Sequence, residues 1–156
     1  NYQVKKVAQE PDLYEYYYDP YIQVVHMLLD LDQPKTAKEI SEILEIDVSR
    51  VEKHMETIES LKLKGVDLHL PKDSPIFRFW RNCIRQISMA EMGKKSIEEV
   101  YGFSATFSSD RETYLELHRK LLKVVEETHK EVVQNSKKEN VYQFNIDLFP
   151  WYESEG

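Results

Sequence analysis

The chain has 156 residues and a formal net charge of −7, so it lacks the overall basic coat that nucleic-acid-binding proteins use. Only four residues are glycine, and no two are close enough for a G-x-G-x-x-G or G-x-x-x-x-G-K loop, which excludes Rossmann and P-loop nucleotide enzymes. The single cysteine, Cys83, excludes an internal disulfide and is typical of a reducing cytoplasm, and no apolar run reaches the roughly 20 residues of a membrane helix.

The N-terminal segment, residues 1–19, is predicted to be a polar arm that becomes rich in tyrosine at its end. Asp19 and Pro20 are typical of a helix start, and the apolar segment 21–31 that follows predicts a buried central helix. The tyrosines form either an aromatic cage for a ligand or, as the large apolar body of tyrosine favours, a lid that packs the arm onto the core. This aromatic cluster consists of Tyr14, Tyr16, Tyr17, Tyr18 and Tyr21.

A helix-turn-helix pattern occupies residues 36–61. Thr36 and Glu39 predict a capping box at the start of its first helix, and apolar residues at helical spacing continue on both sides of a short polar break. Two helices joined by a tight turn are typical of a helix-turn-helix, and the alternating apolar residues at 66–70 predict a strand after it. We therefore expect a winged-helix-like lobe over residues 20–72.

The remaining residues, 73–156, are predicted to form a C-terminal lobe of helices and strands that shares the core. A helix is expected over 75–93, and a longer one over about 110–135 carries an apolar stripe. That stripe is either a dimerisation surface or the cover of a small sheet. The predicted fold class is α+β, mainly α-helical, with a small antiparallel sheet made from residues 66–70, 103–107 and 141–148.

The second helix of the helix-turn-helix carries the side chains that are candidates for reading DNA. Its predicted outward face offers groups for contacts with phosphates and bases, namely Ser49, Arg50, Lys53, His54 and Thr57. Residues 47–64, however, carry as many acidic as basic side chains, and phosphates repel negative charges on such a helix. This balance favours the alternative that the lobe is structural or packs against a partner.

Arginines on the helix predicted at 75–93 form a second candidate site. Arginine binds phosphate and other anions with two parallel hydrogen bonds, so Arg78, Arg81 and Arg85 are candidates for binding an anion or a partner. The alternative, which the acidic composition of the chain favours, is a solvated face paired with carboxylates. We call these three residues the arginine stripe.

No residue pattern points to catalysis, to a metal or to a cofactor. The five histidines are scattered without an H-E-x-x-H motif, and no G-x-S-x-G elbow frames a nucleophile. Cys83 has Trp80 and Ile84 as neighbours, which favours a buried, inert thiol. We expect a protein that is not an enzyme and that binds neither a metal nor a cofactor.

Three stretches of the sequence resemble a bacterial family of presumed transcription regulators. They are the tyrosine-rich segment 14–21, the segment 103–109, and Val141-Tyr-Gln-Phe-Asn-Ile-Asp-Leu-Phe-Pro150, which departs from the family signature V-Y-Q-L-N-x-x-L-F-P only at Phe144. Members of the family have an N-terminal helix-turn-helix domain followed by a domain of unknown function. The resemblance implies that this chain is the C-terminal domain of such a protein, which its start at Asn1 rather than at a methionine also favours.

The sequence therefore predicts a non-enzymatic, cytoplasmic domain of a transcription-regulator-like protein that serves dimerisation or signal sensing, with Arg50 and Lys53 as candidates for direct DNA contact. The predicted partners are a second copy of the chain, DNA through the full-length protein, and a protein or a small effector, but no membrane. The alternative is a protein-interaction or ligand-sensing module without DNA contact, which uses the aromatic cluster and the arginine stripe.

Overall fold

The computed structural model describes residues 10–62, 74–135 and 137–155, with side chains described from Tyr14 onward. The described residues form α1 (Glu10–Tyr18), α2 (Tyr21–Leu29), α3 (Ala37–Leu44), α4 (Val48–Ser60), α5 (Pro75–Met92) and α6 (Arg111–Gln134). Two units divide the chain: one holds the residues up to Lys95 together with Lys138–Tyr142, the other Ser96–Lys137 together with the residues from Gln143 onward. None of the described helices is long and apolar enough to cross a membrane.

The predicted α+β fold class with a small antiparallel sheet is wrong, because every regular element in the described ranges is an α-helix. Residues 103–107 and 141–148 alternate between apolar and polar side chains, yet they belong to no strand. Alternation only places side chains on one face, whereas a strand also needs a neighbour that completes its backbone ladder. The third predicted strand, 66–70, and with it the predicted wing, lies outside the described residues.

The core of the first unit is built around α2, whose sequence is apolar on nearly every side. Ile22, Val25 and Leu28 are buried in this helix, which packs against both α1 and α4. The tyrosines Tyr16 and Tyr17 of α1 belong to the same core, and α1 also contacts α4 and α5. The division of the chain at Lys95 therefore keeps α5 with the helices that precede it.

The two helices predicted at residues 36–61 are confirmed as α3 and α4, which pack against each other. The capping box also forms: Thr36 Oγ1 accepts a hydrogen bond from the Glu39 N–H (3.3 Å), and Glu39 Oε2 accepts one from the Thr36 N–H (2.7 Å). α3 ends at Leu44, and Glu45, which follows it, has a left-handed backbone with φ of 53°, a conformation that glycine adopts most easily. Ser41 Oγ supports this turn by donating to the Ile46 carbonyl oxygen at 2.6 Å.

In the second unit, α6 is the one helix that the described residues form. Asp110 caps its start, since Asp110 Oδ1 accepts a hydrogen bond from the Thr113 N–H at 2.7 Å. No residue of α6 is buried. The segments without regular secondary structure before and after it in the sequence expose large aromatic side chains, among them Tyr101, Phe103, Trp151 and Tyr152.

Candidate functional site

Polar side chains of α4 meet a single carboxylate, that of Asp19, in the link between α1 and α2. Asp19 Oδ2 accepts a hydrogen bond from Arg50 Nε at 2.7 Å and lies 2.6 Å from Arg50 Nη2 and 3.0 Å from His54 Nε2. Its other oxygen, Oδ1, accepts a hydrogen bond from the Tyr21 N–H at 3.1 Å, as the cap of a helix start does. We call Asp19, Tyr21, Arg50 and His54 the Asp19 cluster.

The Arg50 guanidinium is also held by an aromatic ring. Its Cζ lies 4.9 Å from the centroid of the Tyr21 ring, within the range of a cation–π interaction. The side chain of Arg50 is 43% exposed, but its Nε and Nη2 groups already face Asp19. One of the two edges through which a guanidinium can grip a phosphate with two hydrogen bonds, the Nε and Nη2 edge, is therefore occupied within the protein.

His54 and Thr57 are buried, each with 7% of its surface exposed, so the predicted outward placement is wrong for both. The physical reason is that the tyrosine-rich segment forms a helix, α1, which packs against α4. Thr57 Oγ1 lies 3.4 Å from Glu15 Oε1 of α1 and 3.2 Å from the Lys53 carbonyl oxygen. Ser49 and Lys53 are exposed, as predicted.

The contacts of Asp19 with α4 were missed by the sequence analysis, which identified this residue only as a helix cap. Asp19 and His54 are 35 residues apart, and no local pattern reports such a pairing. One local signal exists: Arg50, His54 and Thr57 follow one another at helical spacing and so share a face. A polar face of this kind is as compatible with a hydrogen-bonded helix contact as with exposure to solvent.

The charged form of Asp19 is strongly favoured in this cluster. Burial by itself raises the pKa of Asp19, but hydrogen bonds from His54, from Arg50 and from the Tyr21 N–H outweigh it and lower the pKa to about 2. The negative charge on Asp19 is therefore present throughout the neutral pH range.

We expect the first unit to lose stability as the pH falls from about 4 to about 2. Because the pKa of Asp19 is about 2 in the folded protein and about 3.9 for an unfolded aspartate, the unfolded chain binds the proton first. The stabilisation is present above pH 4 and is lost as the pH falls through 2; it amounts to about 2 kcal/mol. Urea unfolding at pH 6 and at pH 2.5 measures the loss of stability, which should be about 2 kcal/mol smaller in an Asp19→Asn variant; Glu39 and Glu45, whose pKa values are also lowered, remain in that variant. An equal loss in both proteins would contradict this assignment.

The aromatic cluster does not line one cage, because its members have different surroundings. Tyr16 and Tyr17 are buried whereas Tyr18 is 75% exposed. The Tyr16 hydroxyl lies 2.8 Å from Nδ1 of the buried His26, and the Tyr16 ring meets that of Tyr17 edge to face at 5.0 Å. Tyr17 in turn meets Trp80 of α5 at 5.7 Å. These contacts fit the alternative of a lid that packs onto the core.

The arginine stripe lies along α5, with Arg78 exposed and Arg81 and Arg85 half-buried. Arg85 Nη1 donates to the Arg81 carbonyl oxygen at 3.4 Å. That the arginine stripe binds an anion or a partner stays a prediction. Cys83 of the same helix is half-buried. Within the described ranges, no group of three or more histidine, cysteine, aspartate or glutamate side chains is placed to hold a metal ion.

Comparisons of the chain with protein-family models, with curated proteins and with solved structures found no match.

Proposed function

We propose that this chain is the helix-turn-helix-containing C-terminal domain of a bacterial transcription-regulator-like protein, cytoplasmic and non-enzymatic, and that it acts by self-association rather than by reading DNA through α4. The family resemblance of the closing segment, 141–150, supports the regulator context. The observation that carries the rest is the Asp19 cluster, in which Arg50 and His54 of α4 contact Asp19 in the link between α1 and α2.

A recognition helix needs its polar side chains free to reach base edges and phosphates. In α4, Arg50 and His54 bind Asp19, and His54 and Thr57 are buried. A phosphate that captured Arg50 would deprive the carboxylate of Asp19 of its ion-pair partner, and breaking a partly buried charge pair is costly. The helix-turn-helix is therefore better suited to be scaffold than reader.

The exposed side chains of α4 do not form an alternative DNA-binding surface. Ser49 and Lys53 are exposed, but so are Glu52, Glu56 and Glu59. A surface with three carboxylates for one ammonium group repels the DNA backbone instead of releasing its counterions. Self-association fits the chain better, because no residue of α6 in the second unit is buried and this helix can therefore pack against another copy.

A DNA titration tests this function. Fluorescence anisotropy of labelled genomic duplexes in about 150 mM salt should show no saturable binding by the chain, and Arg50→Ala should behave like wild type because Arg50 is engaged by Asp19. Lys53→Ala is the matched control, as it removes an exposed cation from the same helix. Saturable, sequence-dependent binding that both substitutions weaken by about tenfold or more would contradict the proposal.

A further inference from the structure

The helix α6 exposes a stripe of apolar side chains along its length. It runs over 24 residues, about 36 Å. Leu115, Leu122 and Val125 are between 39% and 45% exposed, and Val132 is 67% exposed. Helices gain most of their stability from burying one face against a neighbour, so a long helix with this face in water needs a partner surface.

This stripe has the spacing of a two-stranded coiled coil. Steps of three and four residues alternate through Leu115, His118, Leu122, Val125, His129 and Val132, which we call the α6 seam. In heptad terms, the first, third and fifth of these residues occupy a positions and the others d positions. Arg119 and Glu126 follow the d positions directly and so flank the seam at e positions.

We infer that two copies of this chain pair through the α6 seam with their helices antiparallel, an inference that rests on the self-association in the proposed function. In an antiparallel pair with two-fold symmetry, a positions face d positions of the other helix. The register that places Leu122 against Val125 of the partner subunit also places Leu115 against Val132 of the partner subunit. Every apolar residue of the seam then meets an apolar residue.

The charges beside the α6 seam favour the antiparallel orientation and indicate that the helix packed on the seam belongs to a second copy of this chain. In the same register, Arg119 lies beside the partner's Glu126, and the two-fold axis repeats this pair. In a parallel pair, e positions would face the g positions, which are Tyr114, Leu121 and Thr128 and carry no charge. Since each copy has a net charge of −7, complementary pairs at the contact offset the repulsion between copies.

Charge reversal tests the pairing. Sedimentation of the 156-residue chain over a range of concentrations should give a dimer that Arg119→Glu or Glu126→Arg weakens about tenfold, because each substitution creates two like-charge contacts. The double variant, Arg119→Glu with Glu126→Arg, should restore the dissociation constant to within about threefold of wild type, since it rebuilds both pairs with reversed sign.

Two neighbouring residues provide matched controls. Glu116 pairs with both Arg119, at 3.2 Å, and Lys120, at 3.9 Å. Lys120→Glu therefore breaks an ion pair with the same glutamate as Arg119→Glu does, and the two substitutions change the net charge by the same amount. Glu127→Arg is the counterpart for Glu126→Arg. Both controls lie at the f position, away from the seam, and should change the dissociation constant less than about twofold.

A distance measurement fixes the orientation. With the single cysteine replaced by serine, a spin label at Thr113→Cys should be more than about 30 Å from its copy in an antiparallel dimer, but within about 20 Å in a parallel one. A monomer at all concentrations would overturn both this inference and the self-association proposed above. A dimer with the short label distance, or without rescue by the double variant, would overturn the antiparallel pairing alone.

Discussion

Replacing Asp19 by alanine is expected to lower the free energy of unfolding of the first unit by about 3 kcal/mol. The substitution leaves Arg50 and the buried His54 without the carboxylate that both contact, and it removes the cap on the Tyr21 N–H. Loss of one partner from a buried ion pair costs about 3–5 kcal/mol, and the partial exposure of Arg50 places this case at the lower end. Urea unfolding followed by Trp80 fluorescence, with Trp151 replaced by phenylalanine, measures the change.

Asp47 provides the matched control for this substitution. It lies at the start of α4, makes no side-chain capping hydrogen bond there and is exposed, so Asp47→Ala should change the free energy of unfolding by less than about 0.5 kcal/mol. Asp19→Asn separates the two roles of Asp19, since asparagine caps a helix as well as aspartate does but cannot pair with Arg50 as an ion. If Asp19→Ala and Asp47→Ala lowered the free energy of unfolding equally, the stabilising role of the Asp19 cluster would be contradicted.

Truncation of Ile40 to alanine should cost about 3 kcal/mol of the stability of the first unit. Ile40 of α3 is 0% exposed and belongs to the core that also contains Val25 and Val51, and such a truncation removes buried methyl groups and leaves a cavity. Because α3 and α5 lie in the same unit, we expect one cooperative transition when Trp80 fluorescence and helix content are followed together.

The control for Ile40 is another isoleucine of the same helix. Ile43 is 48% exposed, so Ile43→Ala should stay within about 0.5 kcal/mol of wild type. If Ile40→Ala melted α3 and α4 while Trp80 kept its native fluorescence, the helix-turn-helix would be an independent lobe and not part of this core.

The local features of the helices could be read from the sequence. The Thr36 and Glu39 capping box and the apolar residues behind it predicted α3 with its hydrogen bonds, because a cap depends on residues three positions apart. α5 and α6 were likewise expected within one residue of their observed limits. The structure of a residue can be predicted from the local sequence pattern when its contacts lie within one helical turn.

The sheet and α1 could not be read in this way, since both depend on distant partners. The alternation around Phe103 and Phe144 describes side chains that share a face, but strand formation depends on a backbone neighbour that the pattern does not specify. The tyrosines of α1 gave no clean helical periodicity, and their burial comes from contacts with α2, α4 and α5. The Asp19 cluster was missed for the same reason, because its members come together only when α1 and α2 pack on α4.

A double-mutant cycle between Asp19 and Arg50 tests most directly whether the Arg50 guanidinium is bound by Asp19 rather than free to bind DNA. Urea unfolding of Asp19→Ala, Arg50→Ala and the double variant should give a favourable coupling free energy of about 1–2 kcal/mol. The same cycle between Asp19 and the exposed Lys53 should give a value within about 0.3 kcal/mol of zero. A coupling of Asp19 with Arg50 as small as that with Lys53 would contradict this pairing and leave Arg50 available to bind a phosphate.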